Sequence, residues 1–94
     1  MSQSEKIQFT DRDDLLKKMV FKKSEVNKDN AVAGLQKALK RVKRGDRDAM
    51  KLVLKHRKRM LSAAALVYIE IEEDEQYNAV VAEISVIDQI DLED

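Results

Sequence analysis

A small all-α domain of three to four helices is the architecture this 94-residue chain predicts, and three observations carry that prediction. There is no proline and there are only two glycines, so almost nothing interrupts a helix. Apolar residues recur at three- and four-residue intervals over most of the length, which is the period of one helix face. Aromatic residues make up only 4% of the chain, so the core must rest on aliphatic side chains. A core so limited gains from burial between copies, and a homodimer is expected.

Residues 1–9 read as a flexible arm, with Ile7 and Phe9 on one side of any short strand it forms. Thr10 suits an N-cap, with Asp11, Asp13 and Asp14 at the positive end of a helix from about Asp11 to Lys22. Leu15, Leu16, Met19 and Val20 form its apolar stripe, and the polar stretch Lys22 to Asn30 reads as a loop or a loosely capped helix start. From Ala31 a second helix carries Val32, Leu35, Leu39 and Val42 on one face and ends at Gly45, a residue suited to the left-handed position after a helix. Asp46 caps the next helix at once, making a helix-turn-helix unit around Gly45.

In the third helix Met50, Val53, Met60, Leu61, Ala64, Val67, Tyr68 and Ile71 share a face, and no breaker appears before Asp74. The apolar run from Met60 to Ile69 is about half of the roughly 20 residues that cross a membrane, so it is expected to be buried inside the domain. Tyr77, Val80, Val81, Ile84 and Ile87 give a fourth helix its stripe. The alternative is an α+β fold with a C-terminal hairpin of 67–72 and 80–92, because Ala82, Ile84, Val86, Ile90 and Leu92 alternate with mostly polar neighbours. Helix is preferred, since Ser62-Ala63-Ala64-Ala65 gives no reason to stop and no Gly, Pro or Asn marks a change near Leu66.

Charge divides this single domain, residues 1–94, into a basic helical part (10–59) and an apolar, then acidic, part (60–94). All 18 lysines and arginines lie at or before Arg59, and Arg59 is followed by 10 acidic side chains with no basic one. Such asymmetry is a statement about partners. Lys37, Lys40, Arg41 and Arg44 share one stripe of the second helix; Arg47, Lys51, Lys55 and Lys58 share one of the third. The stripes meet at Gly45 and Asp46, so a continuous cationic surface for a DNA or RNA backbone is expected. No aromatic residue lies on it, and only Gln36 and the arginines suit base reading, so the mode is backbone contact with weak sequence preference.

Arg57 stands apart, because its helical angle falls on the apolar face. An unpaired guanidinium there is costly, and an antiparallel hairpin of the last two helices predicts a structural ion pair with Asp88 or Asp91. The cluster Glu70, Glu72, Glu73, Asp74 and Glu75 lacks the alternating spacing and the glycine of a calcium loop, and there is no cysteine, so no metal and no cofactor is expected. His56 has no partner for a triad and there is no phosphate loop; the chain reads as a non-enzymatic binding protein, cytoplasmic, with no apolar leader. A nucleic-acid-binding accessory or regulatory protein is the leading expectation. A protein-interaction module that regulates or inhibits a larger complex, of replication or transcription, is the alternative. Gln89-Ile90-Asp91-Leu92 resembles the first four positions of the pentapeptide by which bacterial replication proteins dock on the sliding clamp; Glu93 replaces the final apolar residue. That resemblance implies a replication partner where the segment is exposed.

Overall fold

The computed structural model describes residues 6–26 and 32–92, the side chains of 21–26 excepted. Four helices follow one another: α1 (Arg12–Val26), α2 (Ala33–Lys40), α3 (Arg47–Glu70) and α4 (Asp74–Asp88). The fold is all-α, and the helical reading of the tail holds. Among the described residues the extended pairing is limited to one parallel bridge, Ile7 with Ile90.

α1 starts one residue later than the sequence suggests. Asp11, not Thr10, accepts from the Asp14 backbone N–H at 2.9 Å, and Asp14 reaches back to accept from the Thr10 N–H at 2.9 Å, a reciprocal cap. The Thr10 backbone N–H, followed by Lys18, holds the Asp14 carboxyl below its usual range. The helix continues to Val26, beyond the Lys22 end read from the sequence, and residues 27–30 of the anticipated loop, with Ala31, lie outside the described residues.

α2 ends at Lys40, five residues before Gly45. Arg12 is the reason the chain can leave the helix there. Its Nη1 donates to the carbonyls of Lys40 (3.2 Å) and Val42 (2.9 Å), satisfying acceptors that a longer helix would have used. Gly45 is needed at the turn itself, where φ is +80°. Asp46 then caps α3 as expected, accepting from the Ala49 N–H at 3.0 Å.

The turn between α3 and α4 lies at 71–73, just ahead of the Asp74 limit read from the sequence, although no glycine marks it. Glu73 N–H donates to the Tyr68 carbonyl (2.9 Å) and Glu72 N–H to the Ile69 carbonyl (3.3 Å), a Schellman closure with Glu72 at φ +60° where glycine usually stands. A side chain in that region costs about 1 kcal/mol. Glu72→Gly is therefore expected to stabilise the domain by roughly 0.5–1 kcal/mol in urea unfolding, and a loss of stability would show that the turn differs in solution.

The core lies at one end of the molecule. Ile7, Phe9, Leu15, Met19, Val32, Leu35, Leu39, Met50, Leu54, Val86, Ile87 and Ile90 meet there, so the segment from Ile7 to Phe9 is part of the fold and not a flexible arm. The Asp91 N–H donates to the Ile7 carbonyl at 2.9 Å, and the Ile7 N–H donates to the Gln89 carbonyl. In α3 the buried line is Met50, Leu54 and Leu61, whereas Met60, Val67 and Ile71, read as core, are more than half exposed. From 62 to 81 no residue is buried at all. The far half of the α3–α4 hairpin thus projects from the core. The physical reason is length: α3, 24 residues or about 36 Å, outruns α2 with its eight residues, and among the described elements α4 alone follows it to the tip.

Candidate functional site

Lys37 and Lys40 on α2, and Arg41, Lys43 and Arg44 in the turn after it, are exposed and adjacent. Val42, between them, is buried, and its anchoring turns its neighbours outward. Arg12 clamps this turn through the Lys40 and Val42 carbonyls, while the same guanidinium meets Asp13 at 3.2 Å. Arg44 meets Asp13 from the other side, Nε to Oδ2 at 3.1 Å, yet its side chain stays 77% exposed. Lys37, Lys40, Arg41 and Lys43 make no ion pair among the described residues. Lys43 was left out of the sequence-derived stripe, and the signal for it was its place directly after an apolar residue in the turn.

The α3 cations are arranged differently. Arg47 is half-buried with its guanidinium 4.7 Å from the centre of the Phe9 ring, Lys51 is half-buried and engaged, and Lys58 pairs with Asp88. Lys55 is exposed. The structure therefore brings Lys37, Lys40, Arg41 and Arg44 together, and directs Arg47, Lys51 and Lys58 toward intramolecular contacts. A single open surface through both stripes does not form, because the arm and the end of α4 occupy the side of α3 where the second stripe lies.

Arg57 pairs with Glu83, which corrects the expectation of Asp88 or Asp91. Arg57 Nε donates to Glu83 Oε2 at 2.6 Å and Nη2 to Oε1 at 3.3 Å, with the Glu83 side chain 6% and the Arg57 side chain 29% exposed. The inner face of α4 carries Ala82, Glu83, Val86 and Ile87. Asp88 lies five residues after Glu83, about 140° round the helix, and so turns outward to Lys58. Asp91 accepts from Gln8 Nε2 at 2.7 Å instead. Gly34 completes the arrangement: a methyl group there would overlap Arg57 Nη2, so the guanidinium lies against bare α2 backbone.

An open cleft of about 390 Å³ is lined by Lys6, Lys58, Ile87, Asp88, Ile90, Asp91 and Leu92. Its charged groups are already paired: Lys6 Nζ donates to the Asp88 carbonyl at 3.0 Å, and Lys58 holds the Asp88 carboxylate. The stretch that resembles a clamp-docking peptide is folded in, since Ile90 is buried and bridged to Ile7. Glu93 lies outside the described residues.

Among the described residues no group of three or more His, Cys, Asp or Glu is placed to hold a metal ion, and no helix is long and apolar enough to cross a membrane. Comparison with protein-family models, with curated proteins and with solved structures gave no match.

Proposed function

We propose that this chain is a small, non-enzymatic nucleic-acid-binding protein of accessory or regulatory kind, which holds a phosphate backbone through Lys37, Lys40, Arg41, Lys43 and Arg44. One observation carries the reading: these five cations are exposed on the end of α2 and on the turn after it, which Arg12 and the buried Val42 anchor, and among the described residues only Asp13 pairs with one of them. A fixed turn loses little entropy when it meets a polyanion. Ammonium and guanidinium groups suit phosphate oxygens, and the absence of aromatic side chains from 37–44 leaves backbone contact as the mode, without base stacking. Self-association belongs to the same reading, since two copies present two such patches to one strand.

About four neutralised phosphates give log affinity against log salt a slope of roughly −3 to −4 on duplex DNA. Fluorescence anisotropy of a labelled duplex between 50 and 200 mM salt measures it. Substituting Lys37, Lys40, Arg41 and Lys43 together with glutamine is expected to flatten the slope almost to zero, because each phosphate-contacting cation contributes about one unit. All four are exposed, so helicity should be retained. A flat response of the unmodified protein would overturn the proposal.

The second reading, a protein-interaction module of a larger complex, is favoured by a different observation: the uncovered apolar half of α3. Pull-down before and after nuclease treatment separates the two, because a protein partner survives nuclease and a nucleic-acid tether does not.

A further inference from the structure

α3 beyond Leu61 is apolar on nearly every side. Met60, Leu66, Val67, Ile69 and Ile71 are 53–70% exposed, and α4 covers only the side that carries Leu61, Ala64 and Tyr68. A helix apolar all round is one that something encloses. We infer that a second copy of this chain encloses it, with the two α3 helices antiparallel about a twofold axis that passes between Ala64 and Ala65.

Charge selects both the occupant and the direction. On the outward line of α3 the residues Leu52, His56, Arg59, Ala63, Leu66 and Glu70 follow at alternating steps of four and three. Arg59 and Glu70 stand at equal distances on either side of the axis. An antiparallel twofold therefore sets Arg59 of each copy beside Glu70 of the other, with Lys55 toward the acidic turn that follows Glu70. Lys55 and Arg59 are exposed and unpaired among the described residues. The tip carries Glu70, Glu72, Glu73, Asp74 and Glu75 with no cation, so a parallel pair would press two acidic tips together. The same surface is thus complementary to itself, as an isologous contact requires.

Size and shape agree. Specific interfaces bury roughly 1,000 Å² or more in total. Over the stretch from Arg59 to Glu70 that two antiparallel α3 helices share, Leu66, Val67 and Ile69, each offering on the order of 80–100 Å², together with Arg59, Ser62, Ala63 and Glu70, bring the pair to the low end of that range. Ser62 and Ala63 beside the axis let the helix axes approach to about 8 Å. The inference does not rest on nucleic-acid binding, since it uses Lys55 and Arg59 and leaves 37–44 free.

Sedimentation equilibrium of the full chain tests it. The unmodified protein is expected at twice its 10.8 kDa mass. Arg59→Glu alone and Glu70→Arg alone should each weaken pairing about tenfold or more, because the twofold repeats every change. Mixing the two variants should restore pairing, since each copy then supplies what the other lacks, and the double variant R59E/E70R should pair with itself. Leu66→Glu, at a position 70% exposed in the single copy, should give a helical monomer. A monomeric unmodified protein would overturn the inference and leave a different partner for this face. A dimer indifferent to Leu66→Glu, or two charge variants that fail to rescue each other, would overturn it equally.

Discussion

Replacing Glu83 with glutamine destabilises the domain by about 3 kcal/mol, and replacing Arg57 and Glu83 together with methionine and leucine returns most of that loss. The asymmetry follows from what each change leaves behind. Glutamine in place of Glu83 leaves a guanidinium held against Gly34 and the α3–α4 seam with no counter-charge, and unpaired buried charges cost about 3–5 kcal/mol. Arg57 keeps partial contact with water, which places the effect at the lower end. The double replacement removes both desolvation costs and fills the seam with apolar volume, a change that is often neutral or stabilising. A domain of this size holds about 5–10 kcal/mol in all, so the single variant loses a third or more of it. Urea unfolding of the original, Arg57→Met, Glu83→Leu and the double variant closes a double-mutant cycle beside Glu83→Gln. A single variant as stable as the original would mean that the pair is solvated in solution.

Phe9→Ala is expected to cost about 3–5 kcal/mol, the range for deleting a buried phenyl ring. The stacked Arg47 guanidinium adds roughly 0.5–1 kcal/mol of that. For a domain of this length the melting temperature should fall by more than about 10 °C. Phe9→Leu keeps most of the volume and should cost no more than about 1.5 kcal/mol. The comparison measures whether residues 6–10 are part of the folded unit, because a change on a solvated arm stays within about 0.5 kcal/mol.

Much of the architecture was readable from residue order, and the failures have specific physical causes. The absence of proline and the three-four spacing led to four helices, and the Gly45-Asp46 pair marked the entry to α3. The end of α2 was misplaced because Arg12, distant in sequence, supplies donors to its last carbonyls. The turn after α3 was legible only as a limit near Asp74, because Glu72, a residue with no turn preference, takes the left-handed position. Arg57 announced itself as a charge on an apolar face, but Glu83 did not, since its neighbours Ala82 and Ser85 read equally well on either side of a strand or helix. The run from Met60 to Ile71 was expected in the core, and no periodicity reveals how many neighbours a helix will find along its length. In the same way the second cationic stripe was legible as a pattern, while its engagement with Phe9 and Asp88 depends on where the two chain ends dock.

The length of α3 has a consequence for the pair proposed above. The cationic turn ends just ahead of Arg47, about 18 residues from the axis between Ala64 and Ala65, or roughly 27 Å at 1.5 Å per residue. Two copies then hold their turns roughly 55 Å apart along the helix direction, a span of about 16 base pairs at 3.4 Å each. α3 is in effect a ruler: a polyanion shorter than that reaches one turn, a longer one bridges both, and each four residues of helix added or removed between the turn and the axis resets the spacing by about 12 Å.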